Sequence, residues 1–333
     1  MLQSHQQQIN TPFSNITPHG NVCVIVNPAS GNGRTGAAWN AHEDYLRSLV
    51  GNLEVHITRA ARDASILTHT ALQAGCEHII AVGGDGTMSE VVNGFFLNAH
   101  PISPKAQLSF VPSGTGSDIA RTLGLPTDIR QAIKRIAQHK AVGLQQKLDV
   151  GKMEYHRFDG SPATHYFCNV LSFGMGGNVV KRVNQASFLK RFGGKTAFFA
   201  ASLLTMLEYK NKKVRLQVLR DGEEVFQDTL QARIVAIANG KYFGGSMMIA
   251  PEASPNDGLF DVVTVENLSR LQALRKFPLI YSGKHIGDAA VRTVRGSRII
   301  AHSEETVLID SDGEGPGKLP LTIDLLPQIL SFI

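Results

Sequence analysis

The most constraining feature of the chain is a junction: His78, Ile79, Ile80, Ala81 and Val82 run directly into Gly83, Gly84, Asp85, Gly86 and Thr87, and a helix-length segment follows from about Ser89. An apolar run of strand length that ends in a glycine-rich turn and restarts as a helix is the repeating unit of an α/β fold. The glycines let the backbone turn tightly and approach a ligand, and a helix N-terminus offers N–H groups suited to phosphate. Asp85 adds a carboxylate that can cap a helix or hold a cation. The pattern recurs, with strands predicted at 22–26, 53–57, 78–82 and 108–111 and helices at 36–50, 63–74 and 89–97. Residues 21–147 are therefore expected to form a domain with a mainly parallel sheet, whose ligands lie beyond the carboxyl ends of the strands.

A second loop of the same construction follows the strand at 108–111: Pro112, Ser113, Gly114, Thr115, Gly116, Ser117 and Asp118, then a helix containing Ile119, Ala120 and Arg121. Ser117 or Asp118 can cap that helix, but two such loops at neighbouring strand ends would face one crevice. The strand at 22–26 leads into Asn27, Pro28, Ala29 and Ser30, then Gly31-Asn32-Gly33-Arg34-Thr35-Gly36, a formal dinucleotide fingerprint with Glu54 as its acid. Four residues separate the strand from the first glycine, and Glu54 begins its strand instead of ending it; both facts weigh against that reading. Gly193-Gly194-Lys195-Thr196 ends like a phosphate loop, yet Leu189 stands where the first glycine belongs.

After about Leu148 the pattern shifts to period two, as in Val214, Leu216 and Val218, with a hairpin expected at Asp221-Gly222 and further strands at 232–238 and 259–265. Residues 148–318 are read as a mostly antiparallel, β-sandwich-like domain with a helical interruption near 178–210, and 319–333 are expected to cross back and complete the first domain. Two domains suit 333 residues. In the most apolar region the longest uncharged stretch, 196–207, has 12 residues where a membrane helix needs about 20. Residues 1–20 have neither the basic start nor the apolar run of a signal peptide, so they read as a flexible leader on a cytoplasmic protein. Cys23, Cys76 and Cys168 are odd in number and far apart, which suggests buried reduced thiols and neither a disulfide framework nor a zinc site.

Lys and Arg number 33 against 28 Asp and Glu, an excess that favours anionic partners. Residues 181–195 hold five basic and no acidic residues, interleaved with Phe188, Leu189 and Phe192; residues 270–298 hold seven basic residues and one acid, Asp288. Each basic residue near an anionic membrane is worth about 1 kcal/mol. Either segment can also be an ordinary solvated helix face, but peripheral attachment to an anionic membrane surface is the expectation. No nucleic-acid partner is expected, and a homodimer is left open.

Taken together, Asn27-Pro28 with Ser30-Gly31, the pentapeptide Gly83 to Thr87, Gly114-Thr115-Gly116-Ser117-Asp118 with Arg121, Asn239-Gly240, Phe243-Gly244-Gly245, Ala250-Pro251, Asn256-Asp257-Gly258-Leu259 and a late Asp312-Gly313-Glu314 resemble the diacylglycerol kinase catalytic-domain family, which includes soluble bacterial lipid kinases and sphingosine kinases. The likeness runs in order from about residue 21 onward. Ser117 stands where the family most often has Asn. The resemblance implies an ATP-dependent lipid kinase that phosphorylates the hydroxyl of diacylglycerol or a related lipid, with the active site between the two domains. It implies ATP contacts at Asn27, Pro28, Ser30, Gly31, Thr58, Gly83, Gly84, Asp85, Gly86, Thr87, Glu90, Gly114 and Thr115, with Asp85 helping to hold Mg2+. It also implies a structural divalent cation at the carbonyls of Ser254 and Leu259 and the Asp257 side chain; a plain hairpin turn is the alternative.

The general base is expected at Asp312 or Glu314, Asp312 preferred. If residues 309–314 are extended, these two side chains share one face, and mutual repulsion raises one pKa into the range of a useful base. Spacing does not choose between them. NAD kinases share the Gly83 to Thr87 pentapeptide, but their Asn-Glu dipeptide is missing here. An NADP-dependent oxidoreductase using Gly31 to Gly36 and Arg59 leaves Asp85 and Asp312 without roles, and a non-catalytic binder would be favoured by their loss, yet both are present.

Overall fold

The computed structural model describes residues 21–185 and 194–333. The leader at 1–20 and, in the basic segment at 181–195, Phe188, Leu189, Lys190, Arg191 and Phe192 lie outside the described residues.

The first domain alternates strand and helix: β1 (Val22–Val26), α1 (Arg34–Val50), β2 (Glu54–Ile57), α2 (Asp63–Gln73), β3 (His78–Gly83), α3 (Asp85–Gly94), β4 (Gln107–Pro112), α4 (Asp118–Thr122) and α5 (Ile129–Val142). Every residue of β1 and β3 is buried, as continuous apolar runs require when helices cover both faces of a parallel sheet. Side chains alternate between the faces. Val22, Val24 and Val26 pack with Trp39 of α1 and Ile133 of α5, whereas Cys23 and Ile25 pack with Leu67 of α2 and Val91 of α3. Asp128 caps α5 by accepting the Gln131 N–H at 2.9 Å. Helix α3 starts at Asp85, four residues before the expected point, so the pentapeptide already contains its first turn.

The second domain comprises β5 (Gln146–His156), β6 (Pro162–Phe167), β7 (Val170–Gly174), α6 (Met175–Gln185), α7 (Gly194–Glu208), β8 (Lys212–Arg220), β9 (Glu223–Ala238), β10 (Phe260–Glu266), α8 (Arg270–Lys276), β11 (Val291–Gly296), β12 (Arg298–His302), β13 (Ile309–Ser311) and β14 (Lys318–Phe332). It is β-sandwich-like. The β8–β9 hairpin turns at Asp221 and Gly222, both at positive φ as a two-residue hairpin turn demands. Strand β9 breaks register between Ala232 and Ile234; beyond the break it pairs with both β7 and β10. Phe173, Leu216, Phe260 and Ile323 fill the space between the layers, and truncating such a buried Phe to Ala costs about 3–5 kcal/mol. Helix α8 lies outside the expected elements, although Ser269 and Gln272 form a capping box that is visible in the sequence.

Strand β14 joins the domains. It runs antiparallel to β5, and at its end Ser331 and Phe332 pair in parallel with Gln107 and Leu108 of β4. At the same junction Asp149 accepts N–H groups from Gly258 (2.7 Å) and Gln328 (2.6 Å), while Asn239 donates to the carbonyls of Asp149 and Cys168, both at 2.9 Å.

Candidate active site

The four parallel strands lie in the order β2-β1-β3-β4. The chain leaves β1 on one side to form β2 and returns on the other to form β3, so the loops after β1 and β3 flank a topological switch point, where an open α/β sheet binds its ligand. There Asn27 Nδ2 donates to Thr87 Oγ1 at 3.0 Å and Asn27 Oδ1 accepts the Ala29 N–H. The hydroxyls of Ser30, Thr35 and Ser113 are mutually bonded at 2.6, 2.8 and 3.1 Å, tying the first loop to the loop after β4. Gly31, at φ 60°, passes so close to that loop that a Cβ would stand 2.6 Å from the Ser113 carbonyl oxygen. Gly84 and Gly114 touch through their backbones, with a Cβ on Gly114 only 2.5 Å from the Gly84 Cα. The glycines thus serve contact between the loops as well as room for a ligand. Thr58 is buried just after β2, its N–H on the Val26 carbonyl.

A cleft of about 280 Å³ between the domains is lined by Asp85, Gly86, Thr115, Asp118, Asp310, Asp312 and Glu314, with Asn169 and the loop Phe243-Gly244-Gly245 opposite. The Asp85 carboxylate does not cap its own helix. It accepts the N–H groups of Asp118 (3.0 Å) and Ile119 (3.2 Å) at the start of α4; burial raises its pKa and those bonds oppose the rise. Asp118 bridges the domains, accepting N–H groups from Gly245 and Ser246, both at 2.8 Å, and a bond from Arg121 Nη1 at 3.0 Å. Burial, aided by the nearby Asp85 charge, lifts it to about 6.

The Asp312 segment differs from expectation. Strand β13 stops at Ser311; Asp312 (φ 47°) and Gly313 (φ 89°) form a tight turn closed by bonds between Ser311 and Glu314. The side chains of Asp312 and Glu314 therefore do not share an extended face. Asp312 accepts N–H groups from Val170 (3.0 Å) and Cys168 (3.3 Å), whereas Glu314 faces Glu90 and Arg62 in a wider adjoining groove. The carboxylates that add to the effect of burial on Asp312 are Asp310, bonded to Ser172 Oγ and the Gly313 N–H, and then Asp85. Asp310 and Asp312 are both pushed up to about 7, chiefly by burial. Burial also raises Glu314, with the Glu90 charge adding to it. Glu90 is set apart from the glycine loops: it accepts the Ala64 N–H at 3.1 Å in the first turn of α2.

At the proposed cation turn, one Asp257 oxygen accepts the Leu259 N–H at 3.1 Å and the other is paired with Arg295, while Ser254 Oγ donates to Asn256 Oδ1. A guanidinium thus already neutralises the carboxylate that a cation would use.

Residues 21–153 match the family described as diacylglycerol kinase catalytic domain, and residues 169–333 match the YegS C-terminal NAD kinase beta sandwich-like domain. A diacylglycerol kinase of Staphylococcus carnosus (strain TM300) is 31% identical over 82% of this chain and 81% of its own length. The chain belongs to the diacylglycerol kinase family. The diacylglycerol kinase of Bacillus subtilis (strain 168) is 28% identical over 89% of this chain and 90% of its own. A Bacillus anthracis str. Sterne crystal structure assigned to a diacylglycerol kinase superposes with TM-score 0.71 at 26% identity, covering 94% of each chain. Yeast NADH kinase complexed with NADH shares the fold, with TM-score 0.52 at 13% identity over 93% of this chain and 82% of its own.

For this family of lipid kinases, the chemistry of the cleft fits a hard cation: five carboxylates meet there, all oxygen donors, and the desolvated Asp85 repels both Asp118 and Asp312. Sequence reasoning missed two of the five. In the sequence Asp118 reads as a helix cap, and Arg121 three residues on is the one local sign of an acid with work beyond capping. Asp310 carried no signal of its own, since its partner Ser172 lies 138 positions away.

Proposed function

We propose that this protein transfers the γ-phosphoryl group of ATP to the hydroxyl of diacylglycerol or a closely related lipid. The observation that carries this reading is an apolar chamber of about 100 Å³ in the second domain that shares Phe243 and Asp310 with the acid-lined cleft. Met206, Met247, Val265, Phe277 and Ile280 line it, a surface suited to an acyl chain whose glycerol end reaches the carboxylates. Residues 21–147 serve as the nucleotide domain, which the segment 319–333 completes only through Ser331 and Phe332, and residues from 148 through the body of β14 serve as the lipid domain. ATP phosphates fit the loops Asn27 to Gly31, Gly83 to Thr87 and Gly114-Thr115.

Asp85, with Asp118 as a partner the sequence did not assign, would hold Mg2+, which when bound neutralises phosphate charge. Asp312 takes the proton of the lipid hydroxyl as its oxygen bonds to the γ-phosphorus and the bond to the ADP oxygen breaks. Backbone N–H groups from Val170 and Cys168 hold the carboxylate in place, and its raised pKa matches neutral-pH base catalysis. The test is a radiolabelled ATP transfer assay over diacylglycerol, phosphatidylglycerol, sphingosine, ceramide and NAD. Label in a glycerolipid supports the reading; label only in NAD, or in none, defeats it. Ile280→Trp removes room for one or two methylenes, about 1–3 kcal/mol, and should raise KM about 10- to 200-fold for long-chain but not short-chain diacylglycerol.

The lipid must be drawn from a bilayer, and the surface beside the chamber suits that. Phe199 and Tyr281, both exposed, pack on Phe277, and Leu271, Leu274 and Ile286 are exposed nearby. Of the seven basic residues in 270–298, Lys276, Arg292, Arg295 and Arg298 are committed to ion pairs, leaving Arg270, Arg275 and Lys284 exposed beside this surface. Binding to vesicles with anionic lipid should weaken with salt and fall in the triple Ala variant of those three residues, by about 1 kcal/mol each. Salt-insensitive binding overturns the electrostatic part.

A cation at Ser254, Asp257 and Leu259 stays in the proposal as a competitor of Arg295 for Asp257. Millimolar Mg2+ or Ca2+ should therefore raise Tm more in Arg295→Ala than in the unmodified protein; an equal response removes the site.

A further inference from the structure

A second cluster lies away from the cleft, under the edge of the first domain's sheet. In the β1–β2 register Cys23 pairs with Glu54 and Ile25 with His56, so Cys23, Glu54 and His56 project from the same face. Their ligand atoms lie within 4.8 Å of one another, the one such grouping of His, Cys, Asp or Glu among the described residues. A fourth donor arrives from α2. That helix ends with Gly75 at φ 95° and the Cys76 N–H bonded to the Ala71 carbonyl at 3.0 Å. This closing turn brings Cys76 into the same buried cluster as Cys23, with its sulfur outside the tighter group of three.

We propose that Cys23, Glu54, His56 and Cys76 form a binding site for a borderline-soft divalent metal ion, zinc above all. Two sulfurs, an imidazole nitrogen and a carboxylate oxygen are the donor types zinc takes, and four donors suit its tetrahedral preference. Bonds of about 2.0–2.3 Å place tetrahedral donors about 3.3–3.8 Å apart. Cys23, Glu54 and His56 thus need a contraction on the order of 1 Å, and Cys76, which lies outside their group, a longer approach. The polar atoms are otherwise idle: the His56 side chain is 10% exposed and its Nε2 has no hydrogen-bond partner, nor has the buried Glu54 Oε2. Glu54 Oε1 stands 3.4 Å from His56 Nε2 in poor hydrogen-bond geometry, as two donors waiting on a shared ion would. The Glu54 side chain, 29% exposed on the sheet's edge strand, gives the ion a way in. On binding, the two thiols lose their protons to solvent and Cys76 gives up its weak contacts with the Asn21 and His78 carbonyls. A bound ion would pin β2 to β1 through His56, two residues before Thr58.

The full-length protein, stripped with chelator and kept in a phosphine reductant, is titrated with Co2+ and then Zn2+. One equivalent of Co2+ should give the absorption of a tetrahedral site together with a thiolate-to-cobalt charge-transfer band, and one equivalent of Zn2+ should bleach both. His56→Gln, at the accessible side of the cluster, should weaken binding by at least the 10- to 100-fold, roughly, that loss of an outer-shell partner costs. Cys23→Ser and Cys76→Ser should each reduce the charge-transfer band. Circular dichroism identifies any variant that fails to fold, in which case His56→Gln decides alone. Absence of the thiolate band in the unmodified protein, or an unchanged affinity in folded His56→Gln, overturns the proposal. Cobalt bound without that band reports histidines elsewhere in the chain and overturns it equally.

Discussion

Asp312→Asn should lower lipid phosphorylation by about 10²–10⁴-fold, the usual worth of a general base, with ATP affinity retained. Glu314→Gln should cost far less, because Glu314 faces Glu90 and Arg62 while Asp312 points to the backbone of Cys168 and Val170 at the cleft. Only the ionised carboxylate accepts a proton, and burial with the Asp310 charge holds Asp312 at about 7. In the unmodified protein kcat/KM should therefore climb with pH up to about 7 and then level off, where an ordinary aspartate, near 4, would give a flat profile across that range. Glu314→Gln should keep the climb. Near-normal turnover in Asp312→Asn, or a climb lost only in Glu314→Gln, reassigns the base.

Asp85→Asn should reduce turnover by about 10²–10³-fold, on the scale of removing one preorganised electrostatic contact. Two causes add. The charge that would face the cation is lost, and the Asp118 and Ile119 N–H groups, which use separate carboxylate oxygens, meet one oxygen and one NH2 group in the amide. The start of α4 then shifts and carries Asp118 away from Gly245 and Ser246. A drop in stability of about 1–3 kcal/mol accompanies one unpaired buried N–H, so thermal denaturation beside the transfer assay separates the two causes. A folded Asp85→Asn enzyme with near-normal turnover rejects the role.

What the sequence made legible has a physical pattern. Val22 to Val26 and His78 to Val82 could be read as strands because burial on both faces leaves unbroken apolar runs, and the Gly83 pentapeptide stood out because close backbone contact excludes side chains. Contacts between residues far apart in sequence left no such trace. Asp118 reaches Gly245 across 127 positions. Arg298 is neutralised by Asp324, so counting charges along 270–298 overstated that patch. The period-two argument for Asp312 and Glu314 failed because Asp312 takes a left-handed conformation, common enough for Asp before Gly in a turn but invisible to a rule that assumes extended backbone. Cys23 and Cys76 are 53 positions apart, yet register and a helix-ending turn make them neighbours.

The pairing of β14 with β4 has a consequence for how the protein is made. Leu108 pairs at once with Ile79 of β3, but its neighbour on the other side arrives only when Phe332 has been synthesised. At about 5–20 residues per second, that is a delay of roughly 10–45 s in a growing chain. Throughout this interval the strand Gln107–Pro112 presents one bare, apolar edge, the kind of edge that recruits other strands. The nascent first domain is thus a natural client for a chaperone at the ribosome, and loss of the last few residues should send the protein toward aggregates before catalysis is ever in question.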